Sequence, residues 1–361
     1  MPALHRADGV TRALPYWMSL GLVPVVVWSG QTGGWALVAP PLASWGLFSI
    51  LDRLIGEDGS NPDPQAAGIP WHMALIRLWV PVQIVALFGV LEIWDSWGLS
   101  GWEAVALFFG VGILTGTIGI TYAHELIHKT NRLDRWLGDV LLSSVLYGHF
   151  RTEHLLVHHV NVATPSDPAT ARYGENFWRY FIRVLPQSFF SAWTTETARQ
   201  TRRGKSPFDL SNPFWTYAGL QISWLAFAYS IAGPVGLLLF IWQALVAVWQ
   251  LELVNYVEHY GLIRQKLPNG RYEPVGPQHS WNAAHAASNW LLINLQRHSD
   301  HHANPMRPYP LLQTYDREEV PTLPAGYPLI TMMALVPRLW MSRMNPRVRA
   351  WQRKGHDAEA T

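Results

Sequence analysis

The stretch "GVGILTGTIGITYAHELIHK", Gly110 to Lys129, runs from apolar residues directly into a pair of histidines. A helix rises about 1.5 Å per residue, so about 20 apolar residues cross the hydrocarbon core of a bilayer. The apolar run begins near residue 102 and therefore predicts a transmembrane helix over 102–123. If that helix continues beyond the membrane, His124 and His128 project from the same face. The stretch thus predicts imidazoles at a membrane surface.

The composition of the whole chain agrees with a membrane protein. Of its 361 residues 49% are hydrophobic and 14% are charged, well below the charged fraction of an ordinary soluble domain. The chain has no cysteine, which excludes disulfides, thiolate metal sites and its own iron–sulfur centre. A formal net charge of +2 gives no reason to expect a nucleic-acid partner.

Five further apolar runs have the length of a membrane span. They cover approximately 13–30, 33–51, 71–93, 214–232 and 235–257. The second contains Pro40 and Pro41, which predict a kink. We therefore predict an all-α, polytopic membrane protein with six transmembrane helices in a single domain over 1–361, ending in a loosely held tail over 345–361.

The positions of lysine and arginine predict the orientation of these spans. Eleven lie between Lys129 and Lys205 and twelve between Arg264 and Lys354, whereas the loops near 31–32, 94–101 and 233–234 have none. Because positive residues concentrate on the cytoplasmic side, both termini are predicted to be cytoplasmic.

Three more histidine motifs accompany "HELIHK". They are "EHLLVHH" from Glu153, "NYVEHYGL" from Asn255 and "LQRHSDHHANP" from Leu295. With the predicted topology all four motifs lie at the cytoplasmic face. Clustered neutral imidazoles near hydrocarbon leave ring nitrogens without partners, and a metal ion satisfies several at once. Nine histidines are too many for one ion, so the count indicates two metals, and imidazole alone does not choose among iron, copper, zinc and nickel. The motifs supply the histidines His124, His128, His154, His158, His159, His259, His298, His301 and His302.

Two other classes of protein compete with this reading. "HELIH" also fits the H-E-x-x-H pattern of zinc proteases, in which Glu125 would be the general base. Such a site needs three protein ligands and would leave most of the clustered histidines unexplained. A metal transporter would place ligands at mid-membrane rather than at one face.

Taken together, the motifs "HELIHK", "YGHFRTEHLLVHHVNVATPSDPATAR", "NYVEHYGL" and "LQRHSDHHANP" resemble those of the integral-membrane non-haem di-iron family of fatty acid desaturases and hydroxylases. The resemblance is strongest to the alkane 1-monooxygenase group. It departs from that group at Ile127 and Val157, where glycine is usual; we expect the larger side chains to narrow or reroute a substrate channel.

The resemblance implies two iron ions held by the nine histidines, without dividing them between the ions. It implies hydroxylation of the terminal methyl of an alkane to a primary alcohol with O2, the substrate entering from membrane lipid. Alternatives within the family are a xylene- or cymene-type alkyl-aromatic methyl monooxygenase and a lipid desaturase. Electrons would come from a rubredoxin or ferredoxin with its reductase, and the protein would lie in a bacterial-type inner membrane.

Carboxylates near the motifs are expected to orient the imidazoles by accepting their second N–H group. Glu252 is a further candidate because it lies inside the sixth predicted span. His149 is expected to form hydrogen bonds rather than bind metal. The candidate orienting residues are Glu125, Glu153, Asp167, Glu252, Glu258, Asp300 and His149.

Overall fold

The computed structural model describes residues 9–63 and 68–359, which fold almost entirely into helices. Within these ranges β-structure is limited to three isolated bridges. The main helices are α1 (Gly9–Thr32), α2 (Gly34–Ile55), α3 (Ile69–Trp97), α4 (Gly101–Ile127), α5 (Arg132–Ser144), α6 (150–161), α7 (Phe177–Arg202), α8 (Phe214–His259), α9 (Ala286–Leu291), α10 (His298–Ala303), α11 (Tyr327–Ala334) and α12 (Pro337–Glu359). Two short 3₁₀ turns, Pro277–His279 and Tyr309–Leu311, flank α10 along the chain.

Five of these helices, α1 to α4 and α8, are long and apolar enough to cross a membrane. Helix α8 has 46 residues, and Gly233 interrupts it with φ 62° and ψ −161°. This backbone conformation is accessible to glycine and strained for other residues, and Pro234 follows it. Helix α8 therefore consists of two arms, which correspond to the fifth and sixth predicted spans. The count of six spans and the cytoplasmic termini stay predictions, and the terminal residues 1–8 and 360–361 lie outside the described ranges.

Helices α4 and α8 pack closely because glycine lies at their contact. A Cβ atom on Gly112 would approach Val246 Cβ to 2.6 Å, and one on Gly116 would approach Ala247 Cα to 2.9 Å. Glycine at these two positions therefore permits close helix packing. Across the same contact Gln250 Nε2 donates to the carbonyl oxygen of Gly112 at 2.9 Å.

The final helix differs from the loosely held tail predicted over 345–361. Helix α12 continues to Glu359, and Val348 is fully buried against Gly261. Tyr260 donates to Asn345 Oδ1 at 2.6 Å, and Gln352 donates to the carbonyl oxygen of Gly261 at 3.1 Å. Polar composition suggested a loose segment, but one apolar position and two side-chain hydrogen bonds hold it against the end of α8.

The carboxyl-terminal ends of α4 and α8 lie at the same end of the bundle. Helices α6 and α10 pack there as well, so the four histidine motifs converge although up to 178 residues separate His124 from His302. Arg77 on α3 forms a bidentate ion pair with Asp134 on α5 at 2.7 and 2.9 Å. This ion pair connects α3 to α5 at the end of the bundle that holds the histidines.

Candidate metal centre

All nine predicted histidines come together, in two groups. The five-histidine group contains His124, His128, His154, His159 and His301. The four-histidine group contains His158, His259, His298 and His302. Within each group one ring nitrogen of every histidine lies within 4.8 Å of all the others. The sequence alone did not divide the nine histidines between two ions, whereas the structure divides them into these two groups.

The Nε2 atoms are spaced as the ligands of a common ion would be. In the five-histidine group, His154 Nε2 lies 3.0 Å from both His128 Nε2 and His159 Nε2. In the four-histidine group, His298 Nε2 lies 3.1 Å from His259 Nε2 and 3.0 Å from His302 Nε2. Imidazole nitrogens bind zinc-like ions at about 2.1 Å, so two ligands at a right angle are about 3.0 Å apart.

Hydrogen bonding between the rings cannot account for this spacing. A ring nitrogen offers either one N–H or one lone pair in the ring plane, so it cannot bond two neighbouring rings well. His154 and His298 each have two such neighbours. His124 Nε2 is buried and has no hydrogen-bond partner in the described part of the chain. The residues therefore fit a metal ion in each group.

A widened helical turn distributes the histidines of α6 between the groups. Residues Glu153–His158 form a π-helical turn, in which side chains five residues apart align rather than four. His154 and His159 consequently share a group, whereas His158 joins the other. The four-residue spacing of His154 and His158 therefore does not place them at the same ion. His124 and His128 do share a group, as their spacing predicts.

Neutral imidazole is the state that binds metal. Burial lowers the pKa of His154, His159, His301 and His302, and the neighbouring imidazoles lower each pKa further. A cluster of protonated imidazoles would place several like charges in a largely buried site.

Two of the expected carboxylates lie beside imidazoles of the four-histidine group. His158 Nδ1 lies 3.0 Å from Asp167 Oδ2, and His298 Nδ1 lies 3.3 Å from Glu258 Oε1. Tyr327 on α11 donates to Glu258 Oε1 at 2.9 Å and holds that carboxylate in place. A carboxylate at Nδ1 keeps the proton there, which leaves the Nε2 lone pair free for a metal.

The other four carboxylates have different surroundings, and none is hydrogen-bonded to a clustered imidazole in the described ranges. Glu125 pairs with Lys129 and accepts from the Tyr309 amide at 3.1 Å. Asp300 accepts from Arg307 at 2.7 Å and from Tyr315 at 2.8 Å. For these residues adjacency to a motif was misleading, since a residue next to a ligand on a helix points in another direction.

Glu252 and Glu153 are buried beneath the four-histidine group. Glu252 accepts from Tyr147 at 2.8 Å and from Tyr180 at 3.1 Å, so hydroxyl groups satisfy both oxygens of this buried carboxyl group. Glu153 Oε1 has no partner among the described residues, and burial raises the pKa of this carboxyl well above its usual range.

His149 lies outside both groups. Its ring centroid is 4.4 Å from that of Tyr147, and its Nε2 has no hydrogen-bond partner within the described residues, so the expected hydrogen bond is absent at that atom. The roles of Tyr327 and Tyr180 were not predicted from the sequence. Nothing in their local sequence links them to Glu258 and Glu252, which are 69 and 72 residues away.

A cavity adjoins the histidine groups. His124, His154 and His298 reach its wall, and residues of α2, α4 and α8 line the part between the membrane helices. The apolar members of its lining are Trp45, Ile120, Phe150, Leu251, Leu253, Val254, Leu291, Leu292, Leu295 and Pro328.

Ile127 and Val157 do not belong to this lining within the described residues. Both are buried elsewhere, and Ile127 packs where a Cβ on Gly138 would lie 2.8 Å from its Cγ2. The expectation that they narrow or reroute a substrate channel therefore stays a prediction.

Comparison with known proteins identifies the family to which the chain is similar. Residues 100–333 match the fatty acid desaturase family. Alkane 1-monooxygenase 1 of Alcanivorax borkumensis is 40% identical over 328 residues, which cover 89% of this chain and 80% of that protein. Alkane 1-monooxygenase 1 of Pseudomonas aeruginosa is 38% identical, with 93% of this chain and 90% of that protein covered. The xylene/toluene monooxygenase hydroxylase component XylM of Pseudomonas putida is 25% identical, covering 92% of this chain and 89% of its own.

These similarities extend over the helices that carry all four histidine motifs, and they confirm the resemblance inferred from the motifs alone. The chain belongs to the fatty acid desaturase family and, within it, to the group of the alkane 1-monooxygenases.

Proposed function

We propose that the protein is a membrane-bound di-iron monooxygenase that hydroxylates the terminal methyl of an alkane to a primary alcohol. The observation that carries this proposal is the meeting of two imidazole groups with one apolar cavity between membrane helices. The names of the relatives in the comparison supply the reaction class.

Each imidazole group would hold one iron ion. The choice of iron rests on the family, because imidazole also suits copper, zinc and nickel. The bound irons would supply the reduction of O2 and the transfer of one oxygen atom to a C–H bond. Asp167 Oδ2 lies within hydrogen-bond distance of His158 Nδ1 and would keep that ring's proton there, which leaves its Nε2 lone pair for the metal. Glu258 lies 3.3 Å from His298 Nδ1, where it would orient that ring in the same way.

The cavity would bind the alkane and exclude water. Leu251 and Val254 on α8 and Ile120 on α4 form apolar wall at the level of the membrane. His124 and His154 close the end at which a methyl group would react. An apolar wall discriminates chain lengths weakly, by about 1–3 kcal/mol per methylene, so we expect a range of alkanes to react.

Electrons would come from a separate carrier, since the chain has no cysteine to build its own iron–sulfur centre. A rubredoxin or a ferredoxin with its reductase is the proposed source. The eleven lysines and arginines between Lys129 and Lys205 would attract an acidic carrier to the end of the bundle that holds the histidines.

For topology we propose six spans, counting the two arms of α8 separately, with both termini and the metal centre on the cytoplasmic side of a bacterial inner membrane. The support is the distribution of positive residues together with the break at Gly233.

The test is product analysis with purified protein, a reduced carrier, O2 and a panel of alkanes, xylenes and fatty acyl lipids. We expect primary alcohols from alkanes, and no product after iron is removed by chelation. Alkenes in place of alcohols would overturn the proposal and indicate a desaturase.

A methyl group on an aromatic ring is the second candidate substrate, which the similarity to the xylene/toluene component favours. Faster turnover of xylene than of any alkane in the same panel would select this candidate.

The geometry weighs against the zinc-protease alternative. A general base at Glu125 would have to face a metal-bound water, but this carboxylate pairs with Lys129 and the Tyr309 amide instead. The five-histidine group also exceeds the three protein ligands of such a site.

A further inference from the structure

Five side-chain hydroxyls line the cavity, and four of them donate to the protein. Thr117 donates to Gln250 Oε1 at 2.8 Å, and Thr121 donates to the Thr117 carbonyl at 2.8 Å. Thr331 donates to the Tyr327 carbonyl at 2.6 Å, and Tyr327 donates to Glu258. The fifth is Ser44.

The Ser44 hydroxyl is 1% exposed and has no hydrogen-bond partner among the described residues. Two other serines in the apolar helices donate a hydrogen bond to a backbone carbonyl three or four residues earlier. Ser29 donates to Val26, and Ser49 donates to Trp45. Ser44 lies instead in the π-helical turn Leu42–Leu47 and makes no such bond. A buried hydroxyl without a partner is unfavourable, so a polar group in the cavity would be stabilised there.

Ser44 and the histidines lie at different depths of the same cavity. The neighbouring Trp45 ring lies 5.9 Å from that of Trp249 on α8. Trp249 precedes His259 by ten residues, which is about 15 Å of helix. The cavity therefore has a metal end, formed by His124, His154 and His298, and a Ser44 end between the membrane helices.

We propose that Ser44 hydrogen-bonds a hydroxyl group at the far end of an alkyl chain whose methyl group lies at the metal end. The protein would then also convert medium-chain primary alcohols into α,ω-diols. This inference rests on the proposed function, and it adds a second substrate class and the residue that recognises it.

The added reaction balances in the same way as alkane hydroxylation. One C–H bond of the methyl group becomes C–OH with an oxygen atom from O2. The other oxygen atom leaves as water, with two electrons from the reduced carrier and two protons. The hydroxyl held by Ser44 is unchanged. Since the product of alkane hydroxylation is itself a primary alcohol, it could rebind in the reversed orientation and react a second time.

The experiment is a competition between octane and primary octanol in purified protein with a reduced carrier and O2. We expect the wild-type protein to form the α,ω-diol. Ser44→Ala is expected to lower the ratio of kcat/KM for the methyl end of octanol to kcat/KM for octane between about twofold and tenfold, the worth of one hydrogen bond. Ser44→Thr, which keeps a hydroxyl, should retain the wild-type ratio.

Ser49→Ala is the matched control, because it removes a hydroxyl from the same helix that already donates to Trp45. It should leave the octanol-to-octane ratio unchanged. If Ser44→Ala does not accumulate, Ser44→Cys weakens the donor at nearly the same size and should shift the ratio in the same direction.

Two results would overturn the proposal: no diol from the wild-type protein, or an octanol-to-octane ratio in Ser44→Ala equal to that of the wild-type protein, whether or not both activities fall. Failure of the proposed function itself is distinguishable, since the wild-type protein would then make no octanol from octane.

Discussion

The spacing of His154 and His158 shows how a local distortion of a helix decides which histidine group a residue joins. They are four residues apart, which in an ordinary helix places both rings on one face. The π-helical turn Glu153–His158 pairs His154 with His159 instead and sends His158 to the other group. The histidines themselves could be read from the sequence, but their division could not, because the turn that divides them has no sequence signature.

Asp167 provides a test at this scale. Its Oδ2 lies 3.0 Å from His158 Nδ1 and also accepts from Thr170 at 2.6 Å. We expect Asp167→Ala to weaken iron binding about 10–100-fold, because His158 loses the group that orients it. Metal analysis at a series of chelator concentrations measures this change.

The same substitution also loosens the loop around Thr170, so the thermal midpoint of the metal-free variant should be recorded beside its iron affinity. Asp209→Ala, in an exposed loop, is the control and should bind iron normally. Unchanged iron affinity in Asp167→Ala would show that this carboxylate does not support the site.

At the scale of elements, the apolar runs predicted where helices lie, and the structure adds a close helix contact at Gly112 and Gly116. The partner of that contact was not predictable, because Val246 and Gln250 follow more than 130 residues later. Likewise the sequence shows that Glu258 is a carboxylate next to His259. It does not show that Tyr327 donates to Glu258, because that contact depends on how α11 packs in the folded chain.

Gly116→Ala tests the α4–α8 contact. The added Cβ would meet Ala247 Cα at 2.9 Å and the Gln250 side chain closer still. We expect a loss of about 1–3 kcal/mol of stability from overpacking. The measurement is the thermal midpoint of purified protein in one detergent.

Gly89→Ala is the matched control, because it lies within α3 and a Cβ there would meet no atom within 4 Å. It should be neutral or slightly stabilising, since alanine favours a helix over glycine. Equal midpoints for the two variants would contradict the close packing of α4 on α8.

At the scale of the whole molecule, length, composition and charge indicated a polytopic membrane protein, and the five long apolar helices agree with that class. The cavity could not be predicted from the sequence, because its wall comes from α2, α4, α6, α8 and the segments 291–298 and 327–331 together. The tail helix was missed as well, since burial of Val348 depends on a groove beside Gly261 that only the folded chain forms.

The absence of cysteine permits a direct test of topology. Single cysteines at Ser96, Val235 and Ser206, all exposed, would be labelled with a membrane-impermeant maleimide. In intact cells we expect labelling at 96 and 235 but not at 206, and the reverse in inverted vesicles. Protection of 235 in intact cells would contradict two separate spans in α8.

The central claim is that the nine imidazoles hold two iron ions. Diffraction from the purified protein, recorded on both sides of the iron absorption edge, locates iron directly. We expect two iron peaks, one among His124, His128, His154, His159 and His301 and the other among His158, His259, His298 and His302. A single peak, or a zinc signal in place of iron, would contradict the di-iron centre.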